Sequence, residues 1–292
     1  MSDWGGFALQ KVAIITDSIA CLTKELVEQY KIGIVPINII FQGKVYKDWV
    51  SITPAEAYEL LLKDPESFKT SAINPDDCFE AYRRASQIAK SIFFITVSIQ
   101  LSGVYNVAHA ARERAKTELP GVNIEVLDSH TATAAQGFVA LAAARAAEEG
   151  KSLAEVVKVA KGIEEKVKCL VVLDTMQHVY RSGRIPKAAA MAGSLLNIRP
   201  IFTVSGAVHF KGVARSREGG IKKILKGMRD RVGLKPVHVA VMHAYAQEEA
   251  EKLRERVASE FDCAELWVTE FSPVIGYACG TGTLGLAFYT EG

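Results

Sequence analysis

Hydroxyl side chains stand where predicted strands and helices meet, and they are the residues best suited to bind a small anion. Thr70-Ser71 lie in a predicted loop before a helix, Ser98 ends a predicted strand, and Ser102-Gly103 open the next predicted helix. Hydroxyl groups, with the free amides and the dipole of a helix start, can bind one negative charge. The same residues are equally typical of helix capping, so the spacing alone leaves both interpretations open.

Acid and hydroxyl residues also form pairs at predicted strand ends, namely Asp17-Ser18, Asp128-Ser129 and Asp174-Thr175. Capping explains such pairs, because their side chains satisfy the unpaired amides of a helix start. Ligands of open α/β sheets also collect outside the carboxyl ends of strands. An enzyme acting on a small carboxylate, by hydrolysis or group transfer, would therefore use Asp17, Ser18, Asp128 and His130.

Other motif-like strings lack the context that their chemistry requires. Gly280-x-Gly282-x-x-Gly285 is followed by a predicted strand instead of the helix that a dinucleotide site needs, and indicates a tight turn. Asp128-Ser129-His130 are adjacent, whereas a catalytic triad brings together distant segments. His238 and His243 flank a strand without a carboxylate partner at metal spacing, which favours structural roles.

Composition indicates a cytoplasmic protein that does not bind nucleic acid. The formal charge is +2, and the basic residues are interspersed with acids. The five cysteines are far apart and form no C-x-x-C pair, as expected in a reducing compartment. The N-terminal residues lack the features of a secretory signal, and no uncharged apolar run approaches the ~18 residues of a membrane span. We expect no stable membrane insertion.

Short apolar strands alternate with helices along the chain, which predicts an α/β fold with largely parallel sheets. This alternation breaks where two Ala-rich helices meet at Gly150-Lys151-Ser152, and helical segments are also expected up to Leu196. A chain of 292 residues exceeds the usual single core. We predict an N-terminal α/β domain at 1–166, a C-terminal α/β domain at 167–292, and a ligand cleft between them.

Seven short motifs follow one another from about residue 12 to 288. They are Ile15-Thr16-Asp17-Ser18, Lys69-Thr70-Ser71 with Pro75, Leu101-Ser102-Gly103-x-Tyr105, Val126-Leu127-Asp128-Ser129, Ser182-Gly183-Arg184-Ile185, Leu196-Asn197-Ile198-Arg199-Pro200-Ile201, and Pro273-Val274-Ile275-Gly276 with Gly280-x-Gly282. In order and spacing the series resembles the DegV family of bacterial fatty-acid-binding proteins.

The resemblance implies a carrier without catalytic residues of its own. A single long-chain fatty acid, such as palmitate, stearate or oleate, would lie in an apolar tunnel between the domains, with no other cofactor and no metal. Its carboxylate would be held by Thr70 and Ser102, with Ser71, Ser98 and Gly103 close by. The carrier would present that carboxylate to a separate fatty acid kinase for acyl-phosphate formation, and Arg184 would face this partner.

The sequence departs from the family pattern at the last motif. Many family members carry a His that adds a donor to the carboxylate, but here that position is Ala278. An unpaired buried acceptor costs roughly 1–3 kcal/mol, so we expect weaker acid binding, a water molecule, or compensation by the Tyr277 hydroxyl. The Thr70-Ser71 motif also lacks its usual Gln and Pro, with Ala72-Ile73 in their place.

Overall fold

The computed structural model describes residues 10–175, 182–184 and 198–291. Its strands are β1 (Gln10–Asp17), β2 (Gly33–Val35), β3 (Asn38–Phe41), β4 (Lys44–Lys47), β5 (Phe68–Ser71), β6 (Ala89–Thr96), β7 (Asn123–Asp128), β8 (Lys168–Val172), β9 (Arg199–Ser205), β10 (Ala207–Ala214), β11 (Val237–His243), β12 (Cys263–Glu270) and β13 (Leu284–Tyr289). The helical segments predicted up to Leu196 and the motif residues Ile185, Leu196 and Asn197 lie outside the described residues.

Helices alternate with these strands, which confirms the predicted α/β class. They are α1 (Lys24–Gln29), α2 (Pro54–Lys63), α3 (Pro75–Ser86), α4 (Val104–Glu118), α5 (Thr133–Glu148), α6 (Leu153–Lys166), α7 (Arg217–Val232), α8 (Gln247–Glu260) and α9 (Pro273–Cys279). A 3-10 turn at Ser18–Ala20 follows β1. None of the helices in the described ranges combines the length and apolar character that crossing a bilayer requires.

The first sheet has the order β2-β1-β6-β7, and all of its strand pairs are parallel. Alternate residues of a strand point to opposite faces, and both faces of β1 are apolar. Val12 and Ile14 belong to the core shared with α5, whereas Ala13 and Ile15 belong to the core shared with α3 and α4. Helices therefore cover both faces, as a parallel sheet requires.

The second sheet has the order β10-β9-β8-β13-β11-β12, and here the expectation of largely parallel sheets does not hold. Only β11 and β12 pair in parallel; β8 pairs antiparallel with β9 and β13, and the other two pairs are also antiparallel. The reason lies in two connections. The tight turn at Gly206 makes β9 and β10 a hairpin, and the glycine turn after α9 returns β13 between β8 and β11.

A third sheet, in the order β4-β3-β5, is antiparallel. Strands β3 and β4 form a hairpin that turns at Gly43. Thr70-Ser71, predicted to lie in a loop, are in fact the end of strand β5. The run Phe68-Lys69-Thr70-Ser71 carries little local strand signal because Lys and Ser are poor strand formers. Pairing with β3, which places Thr70 opposite Ile39, defines the strand instead.

Helix α5 lies between the two larger sheets and contacts β1 on one side and β13 on the other. Its residues are buried nearly all round, from Thr133 to Ala147. The alanines explain this position, since a helix with apolar residues on every side is typical of a core. Gly137 shows how close the packing is, because a Cβ there would lie 3.2 Å from the Leu22 side chain.

We retain the division after residue 166 as a proposal. Every strand of the second sheet lies beyond that residue, beginning with β8 at Lys168, and every strand of the first and third sheets lies before it. The connection at Gly150-Lys151-Ser152 joins α5 to α6, which pack against each other. That connection is therefore a turn within the N-terminal part.

Candidate functional site

A cavity opens between the first and second sheets, close to the start of α5. From the N-terminal part it is lined by Ile19, Ile37 and Val97, and from the second sheet by Val171, Leu173, Phe202, Val204 and Val208. Ala132 and Thr133 at the start of α5 complete this wall. The cleft expected between the two parts of the chain is therefore present.

The cavity has a volume of about 140 Å³. One water molecule needs roughly 10–15 Å³ of such space, and a methylene group is of similar size, so there is room for about ten groups of that size. Aliphatic and aromatic side chains form most of the surface, and the polar lining residues are mainly hydroxyls. Such a space suits one slender apolar ligand with a small polar end.

Thr70 and Ser102 both line the cavity. Thr70 shares a face of β5 with the fully buried Phe68, so it points inward from an edge strand. Ser102 stands at the start of α4, where Gly103 is the N-cap residue. Within the described residues, the side-chain hydroxyl of neither residue has a protein partner. Both hydroxyls are therefore available to a ligand.

Ser71 and Tyr277 also line the cavity, but their neighbours differ. The Ser71 hydroxyl accepts a hydrogen bond from Asn38 Nδ2 at 3.4 Å, and Asn38 also bonds the carbonyl of Ala72. The Tyr277 ring packs against Phe68, with 5.6 Å between the ring centroids. The small third sheet thus supplies or supports all of these groups on one side of the cavity.

Ser98 and Gly103 lie outside the cavity lining. Ser98 is fully buried and acts as an acceptor for the turn that follows it: its carbonyl receives the N–H groups of Leu101 and Ser102 at 2.9 and 3.1 Å. Gly103 packs beside Ala72, since a Cβ at this glycine would lie 3.9 Å from the Ala72 Cβ. Both residues are placed to support Ser102.

Arg184 is the only charged side chain of the described lining, and it lies at an exposed position. Its Nε donates to the Leu101 carbonyl at 3.3 Å, and its Nη1 donates to the Ser182 carbonyl at 2.5 Å. The guanidinium is thereby attached to the turn that carries Ser102. A group at this edge can be reached from solvent and from the cavity.

The strand-end residues of the enzyme hypothesis are engaged in backbone contacts. Asp17 and Ser18 are buried, and the Ser18 hydroxyl accepts the Ile37 N–H at 3.1 Å. Burial raises the pKa of Asp17 to about 6, although N–H groups donated to its carboxylate lower that value in part. His130 lies between two carboxylates, with Nδ1 at 3.0 Å from Glu164 and Nε2 at 3.6 Å from Asp128. The structure does not assemble these residues into a nucleophile, base and orienting group.

The histidines of the second sheet have the structural roles expected for them. His238 Nδ1 lies 2.9 Å from Glu265, and His243 Nδ1 accepts the Ala246 N–H at 3.2 Å. Among the residues that the structure describes, no cluster of His, Cys, Asp and Glu could hold a metal ion.

Tyr277 was predicted as a site residue, but the helix that carries it, α9, was not predicted from the sequence. Val274, Ile275, Tyr277, Ala278 and Cys279 all line the cavity, so nearly the whole helix forms one wall. Burial raises the pKa of the Cys279 thiol to about 12, so this wall carries no thiolate at neutral pH. The sequence does contain the signal for the start of this helix, because Ser272 is its N-cap and Pro273 occupies its first turn. Its seven residues are too few for a helical period to show.

Comparison with known proteins identifies relatives along almost the whole chain. A family model described as an uncharacterised protein of the DegV family matches residues 11–291. A DegV domain-containing protein of Clostridium perfringens is 33% identical over 282 residues, covering 96% of this chain and 99% of the relative. Protein DegV of Bacillus subtilis is 29% identical over 282 residues, covering 95% and 98%.

Solved structures have the same fold. A DegV family protein from Thermus thermophilus, described by its fatty acid binding, has a TM-score of 0.86 at 29% identity and covers 96% of this chain and 99% of its own. DegV from Bacillus subtilis, described as a fatty acid binding protein, has a TM-score of 0.86 at 27% identity and covers 97% and 100%.

Proposed function

This chain belongs to the DegV family, and on that premise we propose that it binds one long-chain fatty acid as a carrier without a catalytic step of its own. The observation that carries the proposal is the apolar cavity between the two sheets, with the hydroxyls of Thr70 and Ser102 on its surface and without a side-chain partner among the described residues. Two related proteins of known structure, at 29% and 27% identity, are described by fatty acid binding.

The acyl tail supplies most of the affinity in this proposal. The cavity has room for about ten groups of methylene size, and burying ten methylenes at ~0.8 kcal/mol each gives on the order of 8 kcal/mol, from which the cost of association is subtracted. Phe202, Val204 and Val208 of the β9-β10 hairpin provide such a surface opposite Val97 and Ile19. The volume suits one chain, which is why we propose a single ligand.

The head group determines which lipid is accepted. Thr70 and Ser102 donate their hydroxyl hydrogens to the carboxylate, since a charge removed from water must find donors. Ser71 and Tyr277 border the same side of the cavity and complete the polar end. Ala278 also borders the cavity, so the donor that a His would supply there is missing.

We extend the proposal to a protein partner. A carrier that exposes its ligand's carboxylate would serve a separate fatty acid kinase, which forms the acyl phosphate, and Arg184 would face that partner. The position of Arg184 supports this role, because its guanidinium is exposed and donates a hydrogen bond to the turn that carries Ser102. A cytoplasmic location is part of the same proposal.

Native mass spectrometry of the protein purified from cells tests the ligand directly. We expect a bound mass of one acyl chain, released by organic extraction as a free fatty acid. A protein that arrives empty and does not bind added palmitate or oleate would contradict the proposal. Turnover of esters or phosphates by the isolated chain would instead favour the hydrolase or transferase hypothesis.

The double variant Thr70→Ala, Ser102→Ala tests the head-group site. Each hydrogen bond to a charged acceptor contributes ~1.5–3 kcal/mol, so the loss of both bonds should lower palmitate affinity roughly a hundredfold or more. Isothermal titration calorimetry gives the dissociation constant. The matched control is Thr117→Ala, Ser259→Ala, which removes the same two hydroxyl types from exposed helical positions. Equal affinity in both double variants would exclude the proposed head-group site.

A further inference from the structure

The turn that carries Ser102 follows β6 and has an acceptor for each backbone N–H from Val97 to Ser102. Val97 N donates to Asp17 Oδ2 at 2.8 Å, and Ile99 N donates to Asp128 Oδ1 at 3.3 Å. Ser98 N donates to the Thr131 carbonyl, and the N–H groups of Gln100, Leu101 and Ser102 donate to atoms of Ser98. These backbone hydrogen bonds therefore fix the conformation of the turn and with it the position of Ser102.

The two acids approach this turn from opposite sides. In the first sheet β6 lies between β1 and β7, and Asp17 ends β1 while Asp128 ends β7. Each acid also accepts a hydrogen bond from the N–H two residues further along the chain: Asp17 from Ile19, and Asp128 from His130. Capping accounts for those local bonds. It does not account for the second bond of each acid, which crosses to the turn after the neighbouring strand.

We propose that Asp17 and Asp128 are positioning residues that hold the turn Val97–Ser102 from both sides and thereby aim the Ser102 hydroxyl at the ligand's head group. This inference rests on the proposed fatty acid function. Neither acid lines the cavity, so both act through the backbone. Asp17 holds two lining residues at once, because Ile19 and Val97 are both part of the cavity wall.

The two acids differ in a way that makes the proposal testable. Asp17 accepts its two N–H groups on different oxygens, Oδ1 and Oδ2, whereas Asp128 accepts both on Oδ1. An Asn side chain has a single acceptor oxygen. Asp17→Asn must therefore lose one of its two hydrogen bonds. Asp128→Asn can keep both of its hydrogen bonds on the one amide oxygen, whereas Asp128→Ala loses both.

The experiment compares two ligands with the same tail, palmitate and 1-hexadecanol, by titration calorimetry at pH 8 with the full chain. Palmitate should bind the wild-type protein more tightly than hexadecanol, and the ratio of the two dissociation constants measures the head-group contribution. Asp17→Asn and Asp128→Ala should reduce this ratio roughly fivefold or more, with little change for hexadecanol. Asp128→Asn should restore it. Asp230→Asn, at an exposed ion pair on α7, is the control.

A merely structural role predicts a different result, in which both ligands weaken together in every variant that loses a bond. That result, or an unchanged ratio in Asp128→Ala, would overturn the inference. If Asp17→Asn does not fold, the Asp128→Ala and Asp128→Asn pair decides alone. A wild-type protein that binds neither ligand, or both equally, would contradict the proposed function itself.

Palmitate labelled with ¹³C at its carboxyl provides an independent spectroscopic readout. The chemical shift of the bound carboxylate reports its hydrogen bonds. It should move in Asp128→Ala and return to the wild-type value in Asp128→Asn. An identical shift in all of these proteins would show that the turn does not position the donor.

Discussion

At the scale of single residues, the polar end of the cavity combines donors from three places in the chain. Thr70 comes from β5, Ser102 from the start of α4, and Tyr277 from α9. Ala278 stands next to Tyr277 on the same wall and contributes only a methyl group. The proposed head-group site therefore consists mainly of neutral hydroxyls, and its affinity for a carboxylate should depend on how many of them reach the ligand.

Ala278→His should strengthen fatty acid binding. An imidazole at this wall adds one donor to the carboxylate, and a hydrogen bond to a charged group contributes ~1.5–3 kcal/mol, so palmitate affinity should rise roughly tenfold. Titration calorimetry measures the gain. Ala278→Leu fills similar space without a donor and should show no such gain. Equal affinity in the two variants would mean that the head group lies elsewhere.

Part of the cavity lining could be predicted from the sequence. Thr70, Ser71, Ser102 and Tyr277 line the cavity. The first three stand at the end of β5 or at the start of α4, whereas Tyr277 lies within α9. Ser98 has the same residue type and the same kind of position, yet it is buried and supports the turn. A one-dimensional pattern cannot separate a hydroxyl that contacts a ligand from one that contacts backbone, because the direction of the side chain depends on the sheet.

At the scale of elements, α9 is a wall of the cavity that is held in place from outside. The hydroxyl of its N-cap, Ser272, donates to Asp48 Oδ2 at 2.7 Å, and the Tyr58 hydroxyl donates to the Phe271 carbonyl at 2.8 Å. Asp48 and Tyr58 both belong to the segment that contains the third sheet and α2. That segment therefore supplies Thr70 and also holds α9, the helix that carries Tyr277.

Gly276→Ala should destabilise the protein strongly. A Cβ at this position would lie 2.5 Å from the buried Tyr58 hydroxyl oxygen, so α9 or Tyr58 must move. Overpacking of this kind costs ~1–3 kcal/mol. Gly162→Ala in α6 is the matched control, since a Cβ there meets nothing within 4 Å and should stabilise by roughly 0.5–1 kcal/mol. Urea unfolding measures both, and equal stability of the two variants would contradict this packing.

Asp48 should make stability depend on pH. Burial raises the pKa of Asp48 from 3.8 to about 6, with bonds from Ser272 and Ser18 lowering it in part. Because the folded state binds this proton more tightly than the unfolded chain does, its contribution to stability is present at low pH and is lost as pH rises through 6. Between pH 5 and pH 7 the loss amounts to about 1 kcal/mol.

Comparison with Asp48→Asn isolates this contribution, since the variant cannot titrate at this position. The free energy of unfolding, from urea titrations at pH 5, 6 and 7, should fall with pH more steeply in the wild-type protein than in Asp48→Asn. Parallel pH profiles would show that Asp48 keeps its ordinary pKa in the folded state.

The elements themselves were mostly predictable, and the exceptions have physical causes. Thr53 with Pro54 and Asn74 with Pro75 start α2 and α3, and both starts can be read from the sequence because cap and proline agree at each site. Strand β5 and helix α9 were missed since both are short and are defined by neighbours. The antiparallel pairs of the second sheet were missed because local alternation does not specify where β13 returns.

At the scale of the whole molecule, one apolar core joins the two proposed domains. It includes Val12 and Ile14 of the first sheet, Phe138 of α5, and Val171 and Met242 of the second sheet. A charged contact reinforces the junction, because Arg145 of α5 binds both carboxylate oxygens of Glu265 on β12, at 2.7 and 3.1 Å. Each part also has an apolar cluster of its own, around α3 and α4 in the first and around α7 and α8 in the second, and the shared core links the two across the division after residue 166.

Unfolding should accordingly be a single cooperative transition. Trp49 lies beside the third sheet and Trp267 lies on β12, so single-tryptophan variants report the two parts separately. Both fluorescence signals should change at the same urea concentration, because a shared core prevents either part from unfolding alone. Two separate midpoints would indicate independent domains.

The alanines of α5 have a consequence for how this fold can diversify. One slender helix stands between two sheets, and the residues at its start, Ala132 and Thr133, also border the cavity. The small side chains of α5 thus keep the two sheets close together, and this spacing limits the width of the cavity. Related proteins with bulkier residues in place of these alanines would need a larger distance between the sheets. We therefore expect α5 to tolerate substitution least. Differences in the width of the bound ligand should correlate with the residues in its first turns.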